Sequence, residues 1–435
     1  MKLYQRIVPL FILALVCLPV FSAGNQETTD AQKEKVVINY YTWENAEKNN
    51  PIFEEFMQDN PDIEVVVNFI PDNNDKMVKL DIMAMGGGEI DVMPLADGDQ
   101  FARAENGILL NLDQFIERDG IDMRESFGGY EEWARYQDNY YCYPLRATLG
   151  GLYYNKDMFD AAGIPYPTPD WTFDEYLQIA KALAKDIDGQ YVYGAYQHTW
   201  AQEWAVFGAQ KASFYTEDGL SNIEDPTLVT ALKNRKMMDD ERIQKSFPLI
   251  TSTKTIANIE FLGEKTAMAV AVSWLVRDMK DKNRFPFDFD AGIAYLPRFD
   301  ETVAEKQIYM SVSGLGIPST SQHPEEAWRF IRYYIENGSK YIAQAGNVPC
   351  YLPAYDGDLI ENYISGSGLS VQDVSPFFDE EAQKYSLKLI TGTAMTEYTQ
   401  IINEEASLYL TGSKTLEDTI SSIKTRADQA IQKQK

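Results

Sequence analysis

The 435-residue chain is poor in basic side chains, with 39 lysines and arginines against 66 aspartates and glutamates and a formal net charge of −27. Phosphate groups are bound mainly by Lys and Arg, so this balance argues against nucleic acid and against an anionic membrane surface as partners. The chain has only two histidines. This scarcity argues against a multi-histidine metal centre, and we expect neither a metal nor a cofactor.

Motifs of nucleotide and hydrolase chemistry are absent from the sequence. No strand is followed by G-x-G-x-x-G, no G-x-x-x-x-G-K-[ST] loop occurs, and no G-x-S-x-G elbow occurs. Gly86, Gly87 and Gly88 end a predicted helix, whereas a phosphate-binding loop would begin one. We therefore expect neither a phosphate-binding loop nor a serine-hydrolase elbow, although folding could still bring two carboxylates together as in a glycosidase.

Long apolar runs are absent except near the start of the chain. Residues 7–21 form an apolar run that follows Lys2 and Arg6 and precedes small residues at 22–24. This pattern predicts a secretory signal peptide at 1–24 and a polar linker at 25–35. The run is shorter than the roughly 20 residues of a membrane-spanning helix, so we expect a periplasmic or extracytoplasmic protein.

Cysteine is scarce, with three in the chain. Cys17 could in principle carry a lipid anchor, but it lies within the apolar run and follows Val16 where a lipoprotein signal has a small residue. Cleavage after it leaves Cys142 and Cys350, which could form one disulfide or remain two buried thiols. The residues alone leave both possibilities open.

Aromatic residues are abundant, at 13% of the chain with 27 tyrosines. Their rings suit a ligand that has both apolar faces and hydroxyl groups. Residues 36–42 and 63–69 read as β-strands on either side of a helix that begins at Pro51. Such a β-α-β unit implies a parallel sheet covered by helices. The sequence therefore predicts an α/β fold with more than one lobe.

Aromatic and polar residues follow several predicted strands. Ligands of open α/β sheets bind beyond the carboxyl ends of the strands, and tryptophan can stack on the apolar face of a pyranose. We therefore predict ligand contacts at the following residues: Trp43, Glu44, Asp97, Asp99, Trp200 and Trp274. His198 is an additional candidate, and a purely structural role for it is equally compatible with the sequence. For each of the three tryptophans the alternative is a core position, but glycine or polar residues surround them where a core position would have apolar neighbours.

Four segments of the chain resemble the bacterial extracellular solute-binding proteins of the carbohydrate type, which are relatives of maltose-binding protein. They occur in the family's order: IDVMPLADGDQFARAENGILLNLDQFI, YCYPLRATLGGLYYNKDMFDAAGIPYPTPDWTFDEYLQIAKAL, FLGEKTAMAVAVSW and SGLGIPSTSQHPEEAWRFIRYYI. The second departs from the usual pattern at Asp170, Trp171 and Thr172, and Ile90 replaces a proline of the first.

The resemblance implies a two-lobed periplasmic-binding-protein fold of type II, with the ligand in a cleft between lobes joined by hinge crossovers. Lobe one would comprise 36–145 and 310–350, and lobe two 150–307 and 355–435. The crossovers would lie near residues 143–152, 308–312 and 350–355. Both Cys142 and Cys350 would then flank hinge segments, which favours a disulfide more than the sequence alone does.

The resemblance also assigns ligand contacts. Trp274 matches a position that commonly stacks on the sugar, and Thr148 falls where the family places a polar contact. Arg146 and Gly314, within the second and fourth segments, are predicted to contact the ligand too. The implied function is the substrate-binding component of an ABC importer, which is not an enzyme and delivers a sugar or oligosaccharide to a membrane permease. The family's usual case also implies a monomer.

Two alternatives remain open at this level. One is a secreted carbohydrate-active enzyme that uses a carboxylate pair. The other is a binder of a different solute such as a polyamine, which the acidity of the chain makes credible.

Overall fold

The computed structural model describes residues 35–44, 47–71, 76–87, 90–96, 98–187, 189–199, 202–386 and 392–434. Several predictions concern residues outside these ranges. They are the signal peptide with Cys17, the linker except for its last residue, and the candidate ligand residues Asp97 and Trp200. Within them, no helix combines the length and the apolar character needed to cross a membrane.

Thirteen strands occur in the described ranges: β1 Val36–Thr42, β2 Ile63–Phe69, β3 Met93–Ala96, β4 Arg135–Tyr136, β5 Asn139–Tyr140, β6 Tyr143–Asn155, β7 Lys185–Ile187, β8 Gln190–Val192, β9 Met268–Val272, β10 Ala291–Ala294, β11 Gln307–Gly316, β12 Val348–Pro349 and β13 Gln383–Tyr385.

Seventeen α-helices occur in the same ranges: α1 Pro51–Asp59, α2 Lys76–Met85, α3 Asp99–Glu105, α4 Asp113–Asp119, α5 Met123–Phe127, α6 Lys156–Ala162, α7 Phe173–Leu183, α8 Pro226–Asp240, α9 Phe247–Thr253, α10 Ala257–Phe261, α11 Leu275–Lys280, α12 Pro324–Asn337, α13 Ser339–Gln344, α14 Gly357–Ile364, α15 Val371–Phe378, α16 Met395–Leu410 and α17 Leu416–Gln434.

The β-α-β unit predicted at the start of the fold is confirmed. β1 and β2 pair in parallel, from Val36 opposite Ile63 to Thr42 opposite Phe69, and α1 connects them. Asn50 caps α1 because its side chain accepts a hydrogen bond from the Ile52 N–H at 3.2 Å. Pro51 suits the first helical turn, where its missing N–H would have no partner within the helix.

Strand β6 is the common element of the largest sheet. It has 13 residues, and every one except Thr148 is buried. Its first half pairs antiparallel with β11 and β12, and its second half with β9 and β10. β11 in turn pairs with β3 and, at its beginning, with β13. The apolar segment YPLRATLGGLYYN thus forms a strand that is covered throughout its length.

Strands at or next to the three predicted crossovers lie side by side at one place on β6, although β12, at Val348–Pro349, precedes the predicted third crossover at 350–355. Ala147 is opposite Val312 of β11 and Val348 of β12, while the neighbouring Arg146 is opposite Ser313 and Pro349. Backbone hydrogen bonds therefore connect the three segments directly. This arrangement suits a hinge, and the exact division into lobes stays a prediction.

Two glycines of the central strands leave space for neighbouring aromatic rings. A Cβ atom on Gly150 of β6 would overlap the ring of Tyr309 on β11, and one on Gly292 of β10 would overlap the ring of Tyr154. These positions need glycine for space, since neither has a left-handed backbone conformation.

We therefore predict that Gly150→Ala lowers the free energy of unfolding by about 1–3 kcal/mol, because the added methyl group overpacks the sheet. Chemical denaturation of the mature protein would measure this loss. Gly357→Ala, where a Cβ atom meets nothing within 4 Å at the start of α14, is the matched control and should leave stability nearly unchanged. Equal stability of the two variants would contradict the prediction.

Candidate functional site

The ends of β1 and β3 bring several predicted ligand residues to one edge. Tyr40 of β1 forms a parallel bridge with Val92, just before β3. Trp43 and Glu44 directly follow β1, and Asp99 begins α3 after β3. Parallel neighbours end at the same edge, so these three side chains belong to one region of the surface.

Trp43 is largely enclosed. Its side chain is 8% exposed and packs in a small apolar cluster with Leu95 and Cys142. The ammonium group of Lys76 lies 4.2 Å from the centre of the ring. The structure thus gives this tryptophan a packing role in addition to the predicted ligand contact.

Asp99 stabilises the turn between β3 and α3. Its Oδ2 accepts a hydrogen bond from the Ala96 N–H at 3.1 Å, and its Oδ1 lies 3.4 Å from Nη1 of Arg103. Gly98 makes the turn possible with a φ of 90°, a conformation that favours glycine. The Asp99 carboxylate is therefore fixed close to the carboxyl end of β3.

Arg146 forms a buried ion pair that sequence analysis did not anticipate. Its Nη1 donates to Oε1 of Glu47 at 2.5 Å, and its Nη2 lies 3.3 Å from Oε1 of Glu44. The other oxygen of Glu47 accepts hydrogen bonds from Tyr40 at 2.5 Å and Thr42 at 2.6 Å. Burial and the charge of Glu47 raise the pKa of Tyr40 well above its usual value, so this hydroxyl remains a donor. The network ties β6 to the segment after β1.

The residues that precede Trp274 and follow Thr148 are joined by hydrogen bonds between β9 and β6. The Ser273 N–H donates to the carbonyl of Leu149 at 2.7 Å, and the Leu149 N–H donates to the Ser273 hydroxyl at 3.2 Å. Trp274 therefore follows β9 at the level of Thr148. The Trp274 ring is half-buried, and the Arg277 guanidinium lies 5.8 Å from its centre.

His198 belongs to the same edge as Trp274. Residues 193–197 run parallel to β9, because Tyr193 bridges Thr266 and the Val270 N–H donates to the carbonyl of Tyr196. The His198 Nδ1 lies 2.7 Å from the Tyr196 hydroxyl, and the side chain is 8% exposed. Burial, followed by the positive charge of Arg235, lowers the pKa of His198 to about 4. The ring is therefore neutral near pH 7.

Gly314 and the two remaining cysteines pack inside the fold. A Cβ atom on Gly314 would overlap the sulfur of Cys142 and lie 2.6 Å from the carbonyl oxygen of Tyr143. This crowding explains glycine at 314 by packing, and ligand contact there stays a prediction. Cys142 and Cys350 are buried free thiols, and burial raises the pKa of both. Of the two possibilities that the sequence left open, the structure has two buried thiols and no disulfide between them.

A cavity of about 790 Å³ lies between α3, residues 132–137 and the beginning of α16. That volume falls within the usual range for ligand sites, roughly 300–1,000 Å³. Its wall includes aromatic and charged side chains from both predicted lobes: Phe101, Glu105, Glu132, Trp133, Arg135, Tyr136 and Glu397. Sequence analysis missed these residues, although the aromatic-rich run EEWARYQDNYY was a signal.

The arrangement offers the groups that recognise polyhydroxylated molecules. Aromatic rings, carboxylates, a neutral imidazole and hydroxyls occur around the crossover strands, and together they can stack on apolar faces and exchange hydrogen bonds with hydroxyl groups. In the part of the chain that the structure describes, no group of three or more His, Cys, Asp or Glu residues is arranged to hold a metal ion.

Comparison with known sequences finds a matching family and distant relatives. The profile described as "Bacterial extracellular solute-binding protein" matches residues 42–341. A "Multiple sugar-binding protein" of Streptococcus mutans is 20% identical over 360 residues, which cover 77% of this chain and 79% of that protein. These matches extend over most of the described fold.

Solved structures share the fold. A sugar transporter from Rhizobium etli in an open conformation has a TM-score of 0.77 at 21% identity and covers 90% of this chain and 99% of its own. An ABC substrate-binding protein from Listeria monocytogenes in complex with cycloalternan has a TM-score of 0.75 at 22% identity, covering 91% and 99%. The expected α/β, two-lobed fold class is thereby confirmed.

The ion pair of Arg146 generates a stability prediction. We expect Arg146→Met to lower the free energy of unfolding by about 3–5 kcal/mol, because Glu47 would remain buried without its counter-charge. Denaturant titration would measure the loss. Arg118→Met is the control, since its pair with Glu325 is exposed and worth at most about 1 kcal/mol. A loss for Arg146→Met as small as that of the control would contradict the prediction.

The neutral imidazole of His198 generates a pH prediction. Its pKa is about 4 in the folded chain and about 6.5 in the unfolded chain. The unfolded state therefore binds the proton more readily, and stability falls as pH drops from about 6.5 to about 4, by up to about 3 kcal/mol for this group. His198→Gln should show a smaller acid loss than the native protein, as measured by denaturant titration at both pH values. His323→Gln is the control. An equal loss of stability on acidification in His198→Gln and His323→Gln would contradict the prediction.

Proposed function

This chain belongs to the bacterial extracellular solute-binding protein family, and we propose that it captures a carbohydrate between two lobes and delivers it to the membrane permease of an ABC importer. On this proposal the protein makes and breaks no bond in the sugar. It acts outside the cytoplasm after loss of residues 1–24.

The placement of the candidate residues is the observation that carries the proposal. Glu44 and Asp99 follow the strands of one predicted lobe, while His198 and Trp274 follow those of the other. Strand β6 lies between the two groups and contributes Thr148, its one residue that is not fully buried. A ligand held at this edge would contact both groups at once.

The cavity and the relatives support a carbohydrate as the ligand. At about 790 Å³, with aromatic rings and carboxylates in its wall, the cavity has room for a sugar of more than one unit. None of the predicted contact residues that the structure describes lines it, so the cavity is a second candidate region, separate from the edge that carries Trp274. The relative from Streptococcus mutans is named a multiple sugar-binding protein, and the Listeria monocytogenes structure contains cycloalternan. Both names agree with the chemistry of the residues in this chain.

The mechanism follows from contacts on two sides. The half-buried ring of Trp274 stacks on an apolar sugar face, while Asp99, Thr148 and the neutral His198 exchange hydrogen bonds with hydroxyls. A ligand that contacts both lobes binds the closed form more tightly than the open one, and this difference shifts the population towards closure. Small changes in β6, β11 and β12 would accommodate the motion. The permease then recognises the closed form.

We predict that a sugar stabilises the mature protein against heat and that Trp274→Ala weakens this effect. A ligand at about 100 times its Kd adds about 2.7 kcal/mol to the free energy of unfolding, which gives a visible rise in Tm. Thermal unfolding with maltose, maltotriose, mannotriose and spermidine, followed by calorimetric titration, would measure both effects. Tyr166→Ala, which removes an exposed aromatic ring, is the matched control and should bind like the native protein.

Three outcomes would contradict the proposal. Breakdown of a bound oligosaccharide would indicate an enzyme. A rise in Tm with spermidine alone would indicate a polyamine carrier with the same fold. Equal sugar affinity of Trp274→Ala and the native protein would remove Trp274 from the site.

A further inference from the structure

A buried arginine lies directly beneath the segment that carries His198. Arg235 belongs to α8, and it is 2% exposed. Its Nη1 donates to the carbonyl of Gln197 at 2.9 Å and lies 3.2 Å from the carbonyl oxygen of His198. One guanidinium group thus binds the carbonyl oxygens of two consecutive residues in the segment that carries His198.

The charge of Arg235 is only partly balanced within the fold. Its Nε lies 3.2 Å from Asp239, but that carboxylate also accepts hydrogen bonds from Gln244 at 2.8 Å and from the Phe247 N–H at 2.8 Å. The Nη2 of Arg235 has no hydrogen-bond partner among the described residues. Burial of a guanidinium group whose hydrogen bonds are incompletely satisfied costs free energy of folding. We therefore asked what else Arg235 does at this position.

The surroundings of His198 identify the groups that act on its ring. Tyr196 lies on the same segment, and its hydroxyl is 2.7 Å from Nδ1 and 3.2 Å from the carbonyl oxygen of Thr255. A carbonyl only accepts, so a hydroxyl that donates to Thr255 accepts from Nδ1–H. In the neutral ring, Nε2 is then a hydrogen-bond acceptor.

Other charges near this segment are accounted for. Burial is the main cause that raises the pKa of Tyr196, and Glu260 of α10 adds to it. The ammonium group of Lys245 pairs with Glu260 at 2.7 Å. Glu203 contributes in the same direction to a smaller extent. Among the charged groups, Arg235 is the one that lowers the pKa of His198, next to the larger effect of burial.

We propose that Arg235 is a positioning residue for the ligand site: it fixes the backbone at Gln197 and His198 from inside the fold and, together with burial, disfavours a positive charge on the His198 ring. The ligand part rests on the proposed function, because it takes His198 as a contact of the sugar. Its consequence is that sugar affinity stays constant from neutral pH to about pH 5.

Nuclear magnetic resonance of the protein labelled in histidine tests this directly, since the chain has only two histidines. His323→Gln assigns the two signals. In the native protein we expect His198 to stay neutral from pH 8 to about pH 5. A ring that is already half protonated near pH 6.5 would overturn the proposal without any variant of Arg235.

Two variants separate charge from packing. Arg235→Met removes the charge, so the titration of His198 should move to higher pH, and sugar affinity should fall by about twofold at the pH where half of the rings are protonated. Arg235→Lys keeps the charge but loses the two-carbonyl contact, so the ring should stay neutral while sugar affinity falls at every pH. Loss of stability in both variants with an unchanged His198 titration would show a merely structural role and overturn the proposal.

The two proposals fail in distinguishable ways. If no sugar binds to the native protein, the proposed function fails, while the histidine titrations of the native protein and of both variants still decide whether Arg235 controls the charge of His198. If sugar binds but its affinity is unaffected in both variants at all pH values, the positioning role fails and the proposed function stands.

Discussion

The hydrogen-bonded pairing of β6 with β11 is the constraint on which the rest of the structure depends. The first half of β6 pairs with β11, and its second half pairs with β9. β11 also pairs with β3 and β13. β12 joins them at Arg146 and Ala147. Three separate stretches of chain therefore converge within a few residues, and the side chains at that point decide how the two sides of the site are joined.

Electrostatics divides the site into two different environments. Near β1, a buried ion pair between Arg146 and Glu47 is satisfied by hydroxyl donors, so the charges stabilise the fold at the crossover. Near β9, Arg235 lies below the His198 segment and disfavours a second positive charge on the ring. Arg146 pairs with Glu47 and Glu44, and Arg235 pairs with Asp239 while it also contacts the backbone at His198.

Much of the fold was predictable because its signals are local. The strand at 36–42, the cap at Asn50 and the capping box of Thr172 and Glu175 depend on residues that are close in sequence. The order of four family-like segments supplied the topology. The placement of His198 and Trp274 at one edge of the sheet has no local signal, since it requires the parallel run of residues 193–197 along β9.

Other features could not be predicted because they depend on long-range contacts. No spacing rule connects Glu47 with Arg146, which lies 99 residues away, or Arg235 with the carbonyl of Gln197. Gly314 was selected as a ligand residue, and only the folded structure shows the crowding by Cys142 that requires glycine there. Asp97 and Trp200 lie outside the described residues, and their roles stay predictions.

Small-angle X-ray scattering with and without a sugar that binds in calorimetry tests the central claim most directly, which is capture between two lobes that close. The account predicts a smaller radius of gyration at saturation, reversed when the sugar is removed by dialysis. An unchanged radius of gyration for the protein at demonstrated saturation would contradict closure around the ligand and place binding on a single lobe.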